Sequence, residues 1–209
     1  MLICVFISIH MQIIDQLAPP ELADHLVRTF YSPLFNWNYH YSTLAVSGEY
    51  ADVGYRDQWV AERPQFSHSF IRDGEPVDQY WDLISPLIDL LAGSTGYKPS
   101  RVIRAKANML LKDPTYPLGS YHEPHVDVNA PGTSSMIYYV DSSDGDTHFF
   151  NEYYFDHAFQ PTTNTSYTSV ARVTPVRGSA VIFPSYRYHA SSSPIVTDRR
   201  VVLNFVLAD

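Results

Sequence analysis

"RVIRAKANMLL" (residues 101–111) marks the point at which the chain changes period. From here on, short runs carry their apolar residues at every second position, as strands do when successive side chains leave opposite faces. "SSMIYYV" (134–140), "THFFN" (147–151), "YTSVARVTPV" (167–176), "SAVIFP" (179–184) and "RRVVLNFVL" (199–207) follow it. Each is rich in β-branched and aromatic residues, and Gly, Pro, Asp and Ser separate them. Upstream the spacing is helical. "PPELADHLVRTFYS" (19–32) places Pro20 at a helix start and Leu22, Leu26, Val27 and Phe30 on one side. "VDQYWDLISPLIDLLAG" (77–93) repeats that pattern through Trp81, Ile84, Leu87, Ile88 and Leu91, with a kink expected at Pro86 and a stop at Gly93. Residues 31–74 show no clear period. Two helices followed by about eight strands predict a mainly β, α+β fold, with helices buttressing one face of a β-sandwich or jelly roll.

Composition agrees with one domain over 1–209, in which 1–100 form a helical and irregular support and 101–209 the jelly-roll core. Apolar residues are 45% and charged residues 17% of the 209, enough to build a core. The 15 prolines, 16 tyrosines and 11 phenylalanines against 9 glycines favour a turn-rich β body. A net charge of −8, with 14 basic residues forming no run, weighs against coating a nucleic-acid duplex. Arg101, Arg104, Lys106 and Lys112 lie close in sequence, as a local basic patch or a solvated strand face. The single cysteine, Cys4, leaves no internal disulfide and no cysteine-based zinc cluster, which fits a reducing, cytoplasmic compartment. "LICVFISI" (2–9) is too short for a membrane span and lacks signal-peptide flanks, so it reads as a buried strand or as an extension upstream of a start at Met11. "DSSDGDT" (141–147) lacks the spacing of a calcium loop and reads as a hairpin turn on Asp144-Gly145. "NTS" (164–166) matches a glycosylation sequon but reads as loop.

The chemistry is concentrated in "YHEPHVDVNAPG" (121–132). About one His-x-Asp or His-x-Glu is expected from composition alone, so the tripeptide acquires meaning only with a third ligand. On a strand His125 and Asp127 would share a face and could bind one metal. A mononuclear Fe(II) site with two histidines and a carboxylate needs another histidine, and His148, His157 and His189 are the candidates. His122 is a rival to His125 that Pro124 argues against, since a helix would be needed to bring the two together. His189 lies in "GSAVIFPSYRYHASSSPIVTDRRVVLNF" (178–205), ten residues before Arg199. Arg199 opens a run whose Val201, Leu203 and Phe205 share its face. A cation on an apolar face is expensive unless it meets an anion, such as the far carboxylate of a metal-chelating diacid.

These residues resemble the Fe(II)- and 2-oxoglutarate-dependent dioxygenases, most closely the prolyl 4-hydroxylase type, and also hydroxylase-like proteins of phage and environmental bacteria. The resemblance covers roughly 101–207. It implies a double-stranded β-helix (jelly-roll, cupin-like) core, with Fe(II) held by His125, Asp127 and His189 and 2-oxoglutarate held by Arg199. It further implies a hydrogen bond from Tyr139 to the far carboxylate and a co-substrate contact from Asn108. Arg200 adjoins Arg199, and only one of the two can face the pocket; the offsets to Pro194 and Phe205 favour Arg199. The activity implied is oxidative decarboxylation of 2-oxoglutarate by O2 to succinate and carbon dioxide, coupled to hydroxylation. The substrate would be a protein or peptide side chain or a small amino-acid-like molecule. An oxygenase acting on nucleic acid, a zinc hydrolase using the same three ligands, and a non-enzymatic jelly-roll module are the alternatives. Each residue also has an ordinary reading: a packed histidine, a core tyrosine, a wall phenylalanine. The long segment 149–169 reads as a lid or as an aromatic-stapled loop. Oligomeric state is not legible.

Overall fold

In the computed structural model, residues 11–41, 63–156 and 166–209 are described. Segment 2–9, His157 and the larger part of the "NTS" sequon lie outside them. The elements run β1 (Gln12–Ile14), α1 (Pro20–Phe30), β2 (Asn38–His40), β3 (Gln65–Arg72), β4 (Glu75–Pro76), α2 (Trp81–Ile84), α3 (Pro86–Thr95) and β5 (Arg101–Leu111), then β6 (Thr133–Tyr139), β7 (Thr147–Tyr153), β8 (Ser169–Val173), β9 (Ala180–Pro184), β10 (Arg187–Ser191) and β11 (Arg199–Ala208). Both expected helices form. Pro20 sits in the first turn of α1, and Ala23, Leu26 and Phe30 make its buried stripe. Pro86 divides the second helical stretch into α2 and α3. The stop comes three residues later than expected, because Gly93 stays helical and Gly96 takes the left-handed conformation (φ 75°) that closes the last turn.

The strands form two facing antiparallel sheets. The larger has the order β1-β9-β6-β11-β5-β3-β2, with β4 on β3; the smaller is β10-β7-β8. The larger sheet takes four strands from before residue 101, so the support region is woven into the sheet as well as lying against it. Five strands lie outside the period-two runs: β1, β4, β2 and β3 (these two in the stretch without period), and β10, which carries His189. Each face of the larger sheet has its own apolar cluster. Met136, Tyr138, Val201, Leu203, Phe205 and Leu207 pack with Leu26, Phe30, Leu87 and Leu91 of the helices. Ile137, Tyr139, Val181, Phe183 and Val202 face Phe149 of the smaller sheet. Burying a side chain of this size stabilises by roughly 1.5–3 kcal/mol.

Asp144-Gly145 does not make a hairpin. β6 and β7 belong to different sheets, and the segment crosses between them. The Asp144 carboxylate accepts hydrogen bonds from the backbone N–H groups of Ile195, Val196 and Thr197 and from the Thr197 hydroxyl. These bonds outweigh the upward pull of burial and hold its pKa well below the usual carboxylate range. The loop is thereby tied to the segment leading into β11, next to the site.

Candidate metal and co-substrate site

His125 and Asp127 lie on an extended segment outside the named strands. Residue 125 forms an isolated antiparallel bridge with residue 189. The two exchange both backbone hydrogen bonds, at 3.0 and 2.9 Å, and the Asp127 N–H donates to the Ser185 carbonyl at 3.0 Å. The segment thus borders β10, with side chains at i and i+2 on one side as on a strand. His125, Asp127 and His189 converge, each with a ligand atom within 4.8 Å of the others'.

The hydrogen bonds fix which atoms face inward. His125 Nδ1 lies 3.1 Å from the Glu123 carbonyl and His189 Nδ1 lies 3.1 Å from the Arg187 carbonyl. A carbonyl only accepts, so each Nδ1 carries the proton and each neutral ring presents a bare Nε2. Burial, reinforced by the neighbouring His189, pushes the pKa of His125 down to about 4. Burial also lowers that of His189, against the pull of Asp127. Asp127 stays ionised: burial raises its pKa, but Arg104 first, then the two histidines and Ser135, carry it well below the carboxylate range. His189 Nε2 and Asp127 Oδ2 are 3.6 Å apart. With the ring neutral both are electron-pair donors, an arrangement that a cation between them would satisfy.

Three side chains beyond the sequence candidates hold the carboxylate. Arg104 Nη2 donates to Oδ1 at 2.6 Å, the Ser135 hydroxyl donates to Oδ2 at 2.7 Å, and Asn204 Nδ2 reaches both oxygens at 3.3 and 3.1 Å. They come from β5, β6 and β11, neighbours in the larger sheet. Asn204 could have been found as the one polar residue in "VVLNFVL". Arg104, Lys106 and Asn108 share strand parity, so two cations of the basic patch turn toward the site while Arg101 and Lys112 stay exposed.

The ligands sit at a cavity of about 60 Å³, several times the roughly 10–15 Å³ that one water needs. Lys106, Asn108, His122, Thr147, Arg200 and Val202 also line it. Asn108 is where it was expected, and its buried Oδ1 has no hydrogen-bond partner among the described residues. Tyr139 stands one layer back. It is fully buried and donates to Thr147 Oγ1 at 2.9 Å, and burial raises its phenol pKa to about 12. His148 turns away to meet Tyr121 at a tilt, with 5.3 Å between ring centroids, and Val126 packs against the outer face of the smaller sheet.

The expectation for Arg199 is corrected. Its guanidinium lies over the Tyr31 ring, 4.5 Å from the centroid, on the helix side of the sheet. Arg200 faces the cavity. It is 4% exposed, with Nε donating to the Gly145 carbonyl and Nη2 to Thr147 Oγ1, both at 2.7 Å. The apolar face shared by Val201, Leu203 and Phe205 is the face toward the helices, so it directs Arg199 outward. The interior of a jelly roll with a polar cavity is the mixed face, here Arg200, Val202 and Asn204. No carboxylate lies within salt-bridge distance of Arg200 among the described residues. Burial lowers its pKa, although an arginine keeps its charge at physiological pH.

No protein-family model matches the chain, and no curated protein is significantly similar to it. Solved structures are. HygX from Streptomyces hygroscopicus, with nickel and 2-oxoglutarate bound, superposes with TM-score 0.60 at 10% identity over 96% of this chain and 83% of its own. An oxidoreductase of the 2OG-Fe(II) oxygenase family from Burkholderia pseudomallei gives 0.55 at 11% identity, covering 95% and 85%. A Trichoplax adhaerens prolyl hydroxylase in complex with a hypoxia inducible factor peptide fragment gives 0.51 at 12%, covering 95% and 83%. The fold is therefore the double-stranded β-helix of the Fe(II)- and 2-oxoglutarate-dependent oxygenases. Among the described residues no helix is long and apolar enough to cross a membrane.

Proposed function

We propose that this chain is an Fe(II)- and 2-oxoglutarate-dependent oxygenase that hydroxylates a protein side chain or a small amino-acid-like substrate. One observation carries the reading. Two bare imidazole nitrogens and an ionised carboxylate converge on a cavity that also holds a buried arginine without an acid partner among the described residues. Two nitrogens and one oxygen, with positions left open, suit ferrous iron. A guanidinium already anchored by Gly145 and Thr147 suits the far carboxylate of a diacid.

His125, Asp127 and His189 would hold the metal, and Arg200, in place of Arg199, the co-substrate. Tyr139 would act through Thr147, which it meets at 2.9 Å, and Asn108 Oδ1 faces the interior as an acceptor. When bound, iron and 2-oxoglutarate supply the oxidising power, with O2 consumed and succinate and carbon dioxide released. The protein's residues do the rest. The two backbone carbonyls keep both rings in one tautomer, Arg104, Ser135 and Asn204 hold Asp127 still, and Arg200 orients the diacid. A peptide is bound by the Trichoplax neighbour, which supports a peptide substrate here.

Iron-dependent release of succinate from 2-oxoglutarate tests the reading. Wild type should turn over, and His125→Ala or Asp127→Ala should lower the rate at least about 100-fold. Turnover unchanged in both variants would remove the site. Hydrolysis that needs zinc but not 2-oxoglutarate would favour the hydrolase alternative.

A further inference from the structure

The metal and co-substrate residues form an electrically balanced set. In formal charge alone, Asp127, Arg200, a divalent metal and the dianion 2-oxoglutarate would sum to zero. The cavity wall carries one further cation, Lys106, with Arg104 behind it on Asp127, and Asp127 is the only acidic residue of the wall among those described. Arg104 is committed to Asp127 at 2.6 Å, with its side chain about a third exposed at the rim. Lys106 lines the cavity, is part-buried, and has no hydrogen bond or ion pair among the described residues. The acid whose charge reaches it, Asp127, is already held by Arg104, Ser135 and Asn204. An ammonium in a cavity beside a guanidinium favours an anion arriving from outside.

Register separates this charge from the co-substrate grip. On β5 and β11, Lys106 is opposite Asn204, Asn108 opposite Val202, and Leu110 opposite Arg200. Lys106 is thus level with the residues that hold Asp127, while Arg200 lies four positions along the strand, about 13 Å at 3.3 Å per residue. We propose that Lys106 is a substrate-specificity residue, and that the primary substrate is a small acid whose carboxylate it receives beside the metal. A single free point charge matches a single negative charge. An internal residue of a polypeptide carries neutral amides there, so within the proposed function this selects the small amino-acid-like molecule over the protein side chain. The inference rests on the oxygenase reading for the word substrate, though not for the anion site itself.

The test uses matched probes, N-acetylated L-amino acids and their primary amides. They are titrated by calorimetry into the protein with Fe(II) and saturating 2-oxoglutarate without oxygen, and into the metal-free protein. The expected result is at least one acid that binds about 10-fold or more tightly than its amide. The preference should disappear in Lys106→Met and survive in Lys106→Arg. Acids and amides binding alike in wild type would overturn the proposal. So would acids that only compete with 2-oxoglutarate, or a Lys106→Met variant whose main defect is 2-oxoglutarate affinity, since either gives Lys106 to the co-substrate. Wild type that releases no succinate but keeps the lysine-dependent preference would fail the oxygenase reading and leave the anion site standing.

Discussion

The two faces of β5 and β11 were built from the same run of residues for opposite purposes. Toward the helices stand Ala105, Ala107, Met109, Val201, Leu203 and Phe205, all buried in one apolar cluster. Toward the smaller sheet stand Arg104, Lys106, Asn108, Arg200 and Asn204, polar or charged side chains of which all but Arg104 line a cavity whose other walls are partly apolar. The first face gains free energy from every side chain that leaves water. The second loses it unless each group finds a partner, and among the described residues Asn108 Oδ1 and Arg104 Nε are buried without one, while the Lys106 ammonium lines the cavity unpaired. Stability resides on one side of these strands and chemistry on the other, with one residue of register between them.

Neighbouring residues should therefore fail in different ways. Phe205→Ala should lower unfolding free energy by about 3–5 kcal/mol, read from urea denaturation. Asn204→Ala should stay within about 1.5 kcal/mol of wild type yet weaken metal binding about 10- to 100-fold. Equal stability losses at the two positions would erase the distinction between the faces.

The adjacent arginines offer the next contrast. Arg200→Ala should raise the KM for 2-oxoglutarate about 10- to 100-fold, because a charge-assisted contact of about 1.5–3 kcal/mol is lost. Arg199→Ala should leave it within about twofold and affect only the packing on Tyr31, worth about 0.5–1 kcal/mol. The reverse ranking would restore the assignment that family offsets alone suggested. Gly145→Ala tests the cradle of Arg200. An added Cβ would sit 2.6 Å from the Ser192 carbonyl oxygen and 3.0 Å from Arg200 Cδ. A loss of about 1–3 kcal/mol should come with weaker 2-oxoglutarate binding, measured in the same titration. A stable variant with wild-type affinity would free the loop from that role.

A last contrast is in pH dependence. Burial, followed by Arg200, pushes the pKa of His122 down to about 3 from an ordinary 6.5, and that of His125 falls to about 4. These folded-state values are depressed, so on acidification the unfolded chain binds protons first. Stability is full above 6.5 and declines as pH falls toward 4 and then 3. The urea midpoint of metal-free protein should be lower at pH 5 than at pH 7, and His122→Asn should flatten part of the slope. A midpoint flat over that interval in wild type would show that these rings are not shielded from water.

Much of this was legible in one dimension. Period-two runs marked β5 to β9 and β11, Pro20 marked the start of α1, and Pro86 marked the break between α2 and α3. The ligand trio could be listed because metal chemistry restricts the donors, and its members do converge. Less legible was anything that depends on which layer covers a face. Periodicity pairs Arg199 with Val201 and Arg200 with Val202, but it does not say which pair meets the helices. β10 was missed because its five residues, all but the last of them buried, alternate too little to signal a strand. Arg104 and Lys106 looked solvated because nothing in the chain's order reveals that Asp127 arrives opposite them.

Taken by itself, the amino-acid sequence determined the class of elements, their order, and the donor types available for a metal. Those follow from local backbone preferences and from the chemistry of single side chains. Only the tertiary structure decided which arginine enters the cavity, which tautomer each imidazole adopts, and which cation is left without an acid. Each of those depends on groups brought together from strands distant in the chain, where burial sets the energy of every unpaired charge.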